Sequence, residues 1–178
     1  MRPTKPEAFL LVAQQLARLS TCNRRKVGCV LTDKHGRITG CGFNGGPAKI
    51  ASCADNDHLC ARENCKPGEK IELCLAIHAE ANALMHCTDI KEVDSCFIWG
   101  ATPCWECAKL LCNSGVSKVY ANKVYGVEAD KRVFELFKRK MITVDIIQFD
   151  KVVEDRVDEG PLVKERASMS AFLEQTTS

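Results

Sequence analysis

This chain of 178 residues is poor in aromatic side chains, with two Trp, two Tyr and seven Phe making 6% of it. It has no apolar run long enough to span a bilayer. Its net charge is only +2, and Lys and Arg are scattered along the chain rather than gathered into a patch. A near-neutral, aromatic-poor chain lacks the basic and stacking surface that nucleic-acid binding needs. Neither nucleic acid nor a membrane is expected as a partner. The start, Met1-Arg2-Pro3-Thr4-Lys5-Pro6, does not lead into a clean signal-peptide core, because Gln14, Gln15 and Arg18 interrupt the apolar stretch. This reads as an intracellular, cytoplasmic protein, or one in host cytoplasm if the source is viral.

Cysteine, by contrast, is abundant: there are twelve. In a reducing compartment such a count points to metal ligands and buried thiols rather than disulfides. Length suits a single domain with a sizeable core, and 46% apolar and 27% charged residues are ordinary for a globular chain.

Apolar residues from Phe9 to Leu19 recur at helical spacing, so Glu7–Ser20 is expected as a helix. Val27–Thr32 and Arg37–Phe43 read as a hairpin around the turn Asp33-Lys34-His35-Gly36, where His35 is a solvated turn residue. Asn44-Gly45-Gly46-Pro47 forces a loop whose backbone can approach a ligand. Residues 48–77 show no convincing regular element but carry Cys53, Cys60, Cys65 and Cys74. So long a loop needs a tether, and these thiols suggest a structural Zn²⁺, with scattered thiols as the plain alternative. Helices are expected over Ala79–Cys87, Trp105–Ser114 and Glu128–Lys140, and strands over Ser95–Ala101, Val116–Ala121 and Ile142–Phe149. This β-β-α-β-α-β-α-β order predicts an α/β fold with helices covering a mixed sheet. Composition shifts at Lys151. The chain divides into a catalytic domain, 1–150, and a C-terminal extension of unknown role, 151–178, in which Leu162–Glu174 reads as a short amphipathic helix with a frayed end.

The chemistry lies in His78-Ala79-Glu80 and, further on, Thr102-Pro103-Cys104-Trp105-Glu106-Cys107. One His and two Cys suit Zn²⁺, and three protein ligands leave a fourth position open, as catalytic zinc requires. Glu80 is not needed as a ligand and is placed to move protons beside the metal. A C-x-x-C pair alone is often a zinc knuckle or a redox pair; Pro103 before it and His-Ala-Glu upstream favour the catalytic reading. His86 lies more than two turns beyond His78 and is not expected to ligate. The H-x-E…P-C-x-x-C order resembles that of the zinc-dependent nucleobase deaminases. There, zinc lowers the pKa of water to about 7, and the Glu would protonate ring N3 and the leaving amine.

The wider pattern resembles the deoxycytidylate (dCMP) deaminases of the cytidine deaminase superfamily. It is carried by Ser20-Thr21-Cys22-Asn23-Arg24, Val27-Gly28-Cys29-Val30, Gly42-Phe43-Asn44-Gly45-Gly46-Pro47, His78-Ala79-Glu80-Ala81-Asn82-Ala83 and Pro103-Cys104-Trp105-Glu106-Cys107-Ala108-Lys109, and spans about Glu7 to Phe149. The resemblance implies a three-layer α/β/α fold with a five-stranded mixed sheet and hydrolysis of dCMP to dUMP for thymidylate synthesis. It also implies a homohexamer activated by dCTP with Mg²⁺ and inhibited by dTTP. Carried over, it assigns zinc to His78, Cys104 and Cys107, acid–base work to Glu80, the deoxyribose hydroxyl to Asn44, the base carbonyl to the Ala79 N–H, and phosphate to Arg24 and Tyr125. It also implies a second zinc held by Cys22, Cys53, Cys74 and one of Cys60 or Cys65. Phe43 departs from the family's frequent Tyr, and 48–77 departs in length and Cys spacing. The alternatives are deamination of another cytosine nucleotide, a nucleoside or tRNA adenosine, and a zinc-binding regulatory module.

Overall fold

Strand β1 (Gly28–Asp33) is buried at every position, the signature of a strand covered on both faces. Cys29 and Leu31 point into one core with Cys96, Ile98, Val119 and Ile146; Val30 points the other way, onto Phe97, Ile147 and the Leu10–Ala13 face of the first helix. The computed structural model describes residues 2–55, 60–66, 69–149, 163–168 and 171. Its further elements are α1 (Lys5–Ala17), β2 (Ile38–Phe43), α2 (Ala79–Met85), β3 (Val93–Trp99), α3 (Trp105–Cys112), β4 (Lys118–Ala121), α4 (Val127–Arg139), β5 (Thr143–Phe149) and β6 (Val163–Ser168). The sheet order is β2-β1-β3-β4-β5-β6. The β1–β2, β1–β3 and β5–β6 pairs are antiparallel; β3–β4 and β4–β5 are parallel. With α1 on one face and α2, α3 and α4 residues packed into the core on the other, the layers are α/β/α.

All five expected strands are present, and a sixth joins them. The expected helix over Leu162–Glu174 is corrected: Val163–Ser168 is a strand, pairing from Asp145↔Ser168 to Phe149↔Val163. A short segment with few apolar residues fits helical and strand periods about equally, and the open β5 edge, with its unpaired backbone groups, favours the strand. Apart from residue 171, the rest of that stretch lies outside the described residues. In the 48–77 segment the one regular element among the described residues is a 3₁₀ turn, Ile71–Leu73.

What seats α2 is the absence of a side chain on β2. A Cβ on Gly42 would lie 2.3 Å from the Ala79 carbonyl oxygen and 2.4 Å from the Ala83 nitrogen, so the helix rests directly on the strand's backbone. Asn82 adds a tie, donating from Nδ2 to the Phe43 carbonyl at 2.8 Å. Gly42→Ala is therefore expected to cost about 1–3 kcal/mol by overpacking against backbone that cannot rotate away. Thermal unfolding should show a Tm lower by several degrees; an unchanged Tm would mean that α2 is not held this way.

Candidate active site at the start of two helices

Two helices begin at the same place. His78 is the N-cap of α2 and Cys104 the N-cap of α3, with Cys107 in the first turn of α3. The His78 Nδ1 lies 3.3 Å from the Cys104 Sγ and 3.4 Å from the Cys107 Sγ. All three ligand atoms lie within 4.8 Å of one another. Zinc bonds of standard length at tetrahedral angles put neighbouring ligand atoms about 3.6 Å apart, so this donor set fits Zn²⁺ with little adjustment.

The electrostatics agree with a site built for a cation. Hydrogen bonds from Cys107 and His78 hold the Cys104 thiol down to about 4, against the opposing effect of burial. The bond to Cys104 lifts His78 to about 9, again against burial. Cys107 is pushed up because it donates to Cys104 and is buried. Glu80, in the first turn of α2, is 4% exposed. Burial first of all raises its pKa, the shift a proton carrier needs to work near neutrality.

The loop carrying Cys104 is fixed from behind by a residue far along the chain. Asp130, fully buried on α4, accepts a hydrogen bond from the Thr102 hydroxyl and another from the Gly126 N–H at 2.6 Å. Thr102 Oγ1 in turn accepts from the Tyr125 N–H at 2.9 Å. Burial raises the Asp130 pKa in spite of these donors. Asp130→Ala leaves buried donors unmatched and is expected to destabilise the fold by about 1–3 kcal/mol. A Tm within one degree of the parent would contradict this.

A cleft of about 660 Å³ opens over the cluster, a size that suits a small-molecule ligand. Asn44, Ala79, Glu80, Arg24 and Tyr125 all line it. Asn44 is buried with its side chain bonded to backbone: Oδ1 accepts from the Val27 N–H and Nδ2 donates to the Arg25 carbonyl, each at 2.8 Å. Arg24 donates to the carbonyls of Arg62 and Cys65, which occupies its guanidinium in holding the 60s loop. Tyr125 lies under the Arg25 guanidinium, 4.4 Å from the ring centroid.

Of the five thiols expected around a second metal, Cys22, Cys53, Cys60 and Cys74 line one cleft; Cys65 is not among its lining residues. Burial, a hydrogen bond with Cys60 and the nearby Cys22 and Cys74 push Cys53 up to about 11. Among the described residues, these thiols do not close to the mutual 4.8 Å that His78, Cys104 and Cys107 reach. His35 and His86 are both exposed; the His86 Nδ1 sits 2.8 Å from the Asn82 carbonyl, away from the cluster. Sequence reasoning missed Asp130, Arg25 and Arg132. Only Trp105, inside the Cys-x-x-Cys motif, carried a signal, because Arg132 stacks over its ring at 3.8 Å.

The family model for the cytidine and deoxycytidylate deaminase zinc-binding region matches residues 3–123, which include the whole His/Glu/Cys/Cys cluster. The chain belongs to the cytidine and deoxycytidylate deaminase family. Among relatives, the deoxycytidylate deaminase of Mycobacterium phage D29 is 36% identical over 125 residues, 66% of this chain and 94% of the phage protein. That of Saccharomyces cerevisiae is 30% identical over 158 residues, 88% of this chain. The chain spans 48% of the yeast protein's length. Among solved structures, the dCMP deaminase of cyanophage S-TIM5, crystallised with dCMP and dUMP, aligns with a TM-score of 0.60 and 26% identity. The alignment covers 81% of this chain and 97% of the cyanophage chain. The matched region is a zinc-binding region, and it contains the His78, Cys104 and Cys107 donor set, which is suited to Zn²⁺. Among the described residues no helix is long and apolar enough to cross a membrane.

Proposed function

We propose that this protein hydrolyses dCMP to dUMP and ammonia. The observation that carries the reading is a buried carboxylic acid, Glu80, beside a His/Cys/Cys cluster on the wall of a nucleotide-sized cleft. The relatives' names, with the crystal complex of the cyanophage enzyme with dCMP and dUMP, favour cytosine deoxynucleotide over other amidines. His78, Cys104 and Cys107 would hold Zn²⁺, which when bound supplies the Lewis acidity that makes water a nucleophile near neutral pH.

The chain's own groups do the rest. Glu80 accepts the proton of the attacking water and passes it to N3 of the pyrimidine as oxygen bonds to C4. It then protonates the amino group, the C4–N bond breaks, and ammonia leaves with a carbonyl behind it. Water supplies the oxygen and both protons, so the step balances with no other reactant. The Ala79 N–H, at the positive end of α2, meets the base carbonyl. Asn44 shapes the deoxyribose wall and Tyr125 borders the phosphate end, while Arg24 is tied to the Arg62 and Cys65 carbonyls. Residues 1–150 carry this machinery, with 151–178 as an extension to it. Cys22, Cys53, Cys60 and Cys74, which line the same cleft, would hold a second Zn²⁺ and so tether the 48–77 loop. Activation by dCTP with Mg²⁺, inhibition by dTTP, hexamer formation and a cytoplasmic or host-cytoplasmic location complete the proposal.

Ammonia release from dCMP, deoxycytidine and CMP, each with and without dCTP and Mg²⁺, tests it. The expected result is preferential turnover of dCMP, rising with dCTP. Turnover that ignores dCTP retains the enzyme and removes the regulation. No turnover of any of the three contradicts the function.

A further inference from the structure

Four arginines line the cleft, and two of them are tied to backbone carbonyls of the 60s loop. Arg24 holds the carbonyls of Arg62 and Cys65, and Arg62 donates from Nε to the Glu69 carbonyl at 2.9 Å. Arg25 and Arg132 have no carbonyl or carboxylate partner among the described residues, and both are exposed at the cleft. Each lies on an aromatic ring instead, Arg25 on Tyr125 and Arg132 on Trp105. The two rings flank the metal-ligand loop: Trp105 follows Cys104, and Tyr125 is tied by its N–H to Thr102. Asn44 anchors the backbone of Arg25 from inside the cleft. Glu106, the exposed carboxylate on the same rim, is paired with Lys109 at 2.7 Å.

We propose that Arg25 and Arg132 form a two-guanidinium clamp for the 5′-phosphate, and that this clamp sets the preference for nucleotide over nucleoside. It rests on the reading of the site as a cytosine-nucleotide site and assigns the residues that read the phosphate. A guanidinium stacked on a ring is held in place through its face and keeps its in-plane N–H donors for phosphate oxygens. Such a pair is both rigid and doubly charged, which suits a dianionic phosphomonoester better than a single flexible lysine would. The family match ends at residue 123, so Tyr125 and Arg132 lie beyond it. The preference is thus set partly by α4, outside the zinc-binding region.

The test is calorimetric binding of dUMP and of deoxyuridine to the zinc-loaded full chain, for the parent, Arg25→Gln, Arg132→Gln and Arg132→Lys. Using product ligands makes the readout independent of turnover. The clamp predicts that each Gln variant lowers the dUMP-to-deoxyuridine affinity ratio by roughly 10- to 100-fold, the scale of a lost charge-assisted bond. Arg132→Lys should recover part of that ratio. A ratio unchanged in both Gln variants, including one in which both ligands weaken equally, overturns the clamp. A parent that shows the predicted ratio but does not deaminate dCMP leaves the clamp standing and removes the proposed reaction.

Discussion

Glu80→Gln lowers turnover of dCMP by about 10²- to 10⁴-fold, the range expected when a positioned general acid–base is lost, while zinc content and fold stay as they were. The amide matches the carboxyl group in size, and Glu80 is not one of the three clustered ligand donors. On the proposed mechanism it removes the proton carrier. Because burial raises the Glu80 pKa, the parent holds a proton more readily than an exposed Glu, and the Gln variant should lack the corresponding pH dependence of kcat. Rates across pH on protein with metal content measured by atomic spectroscopy would check this. A Gln variant within threefold of the parent would mean that another group moves the proton.

Cys104→Ser acts one level earlier, on the metal itself. Cys104 is both a donor of the proposed zinc cluster and the N-cap of α3. Ser is a good N-cap, so α3 should still form; its hydroxyl is a poor substitute for a thiolate toward zinc. The expected outcome is loss of the catalytic zinc, turnover at background, and a far-ultraviolet circular dichroism spectrum close to the parent's. Zinc retained at parental stoichiometry with activity intact would remove Cys104 from the site. The two variants separate two causes of inactivity, since one keeps the metal and loses the proton carrier while the other does the reverse.

How much of this was legible beforehand follows from where the information sits. His78, Glu80, Cys104 and Cys107 are two short local motifs, each recognisable by its own spacing at a helix start, and the packing of α2 and α3 into one core brings them together. The buried strands β1 and β3 are dense in β-branched and apolar residues, so they too could be read directly. β6 could not, because a six-residue segment takes its conformation from the remote edge it pairs with, and nothing within Val163–Ser168 names β5 as its partner. Arg24 illustrates a different limit. An arginine near a catalytic motif looks like an anion ligand whether its donors face a phosphate or two backbone carbonyls, and only the folded loop decides between them. Asp130 and Arg132 act on the cleft from α4, the one through Thr102 and the other through Trp105. Their roles exist only once α3 and α4 pack, which local sequence does not encode.

The most direct test of the account is incubation of zinc-loaded protein with dCMP in ¹⁸O-water, followed by mass spectrometry of the nucleotide. Hydrolytic deamination at C4 predicts dUMP with a single ¹⁸O on the base, one ammonia released per dUMP formed, and no reaction after removal of zinc by a chelator. Unchanged dCMP in the presence of bound zinc, or dUMP without the label, would contradict it.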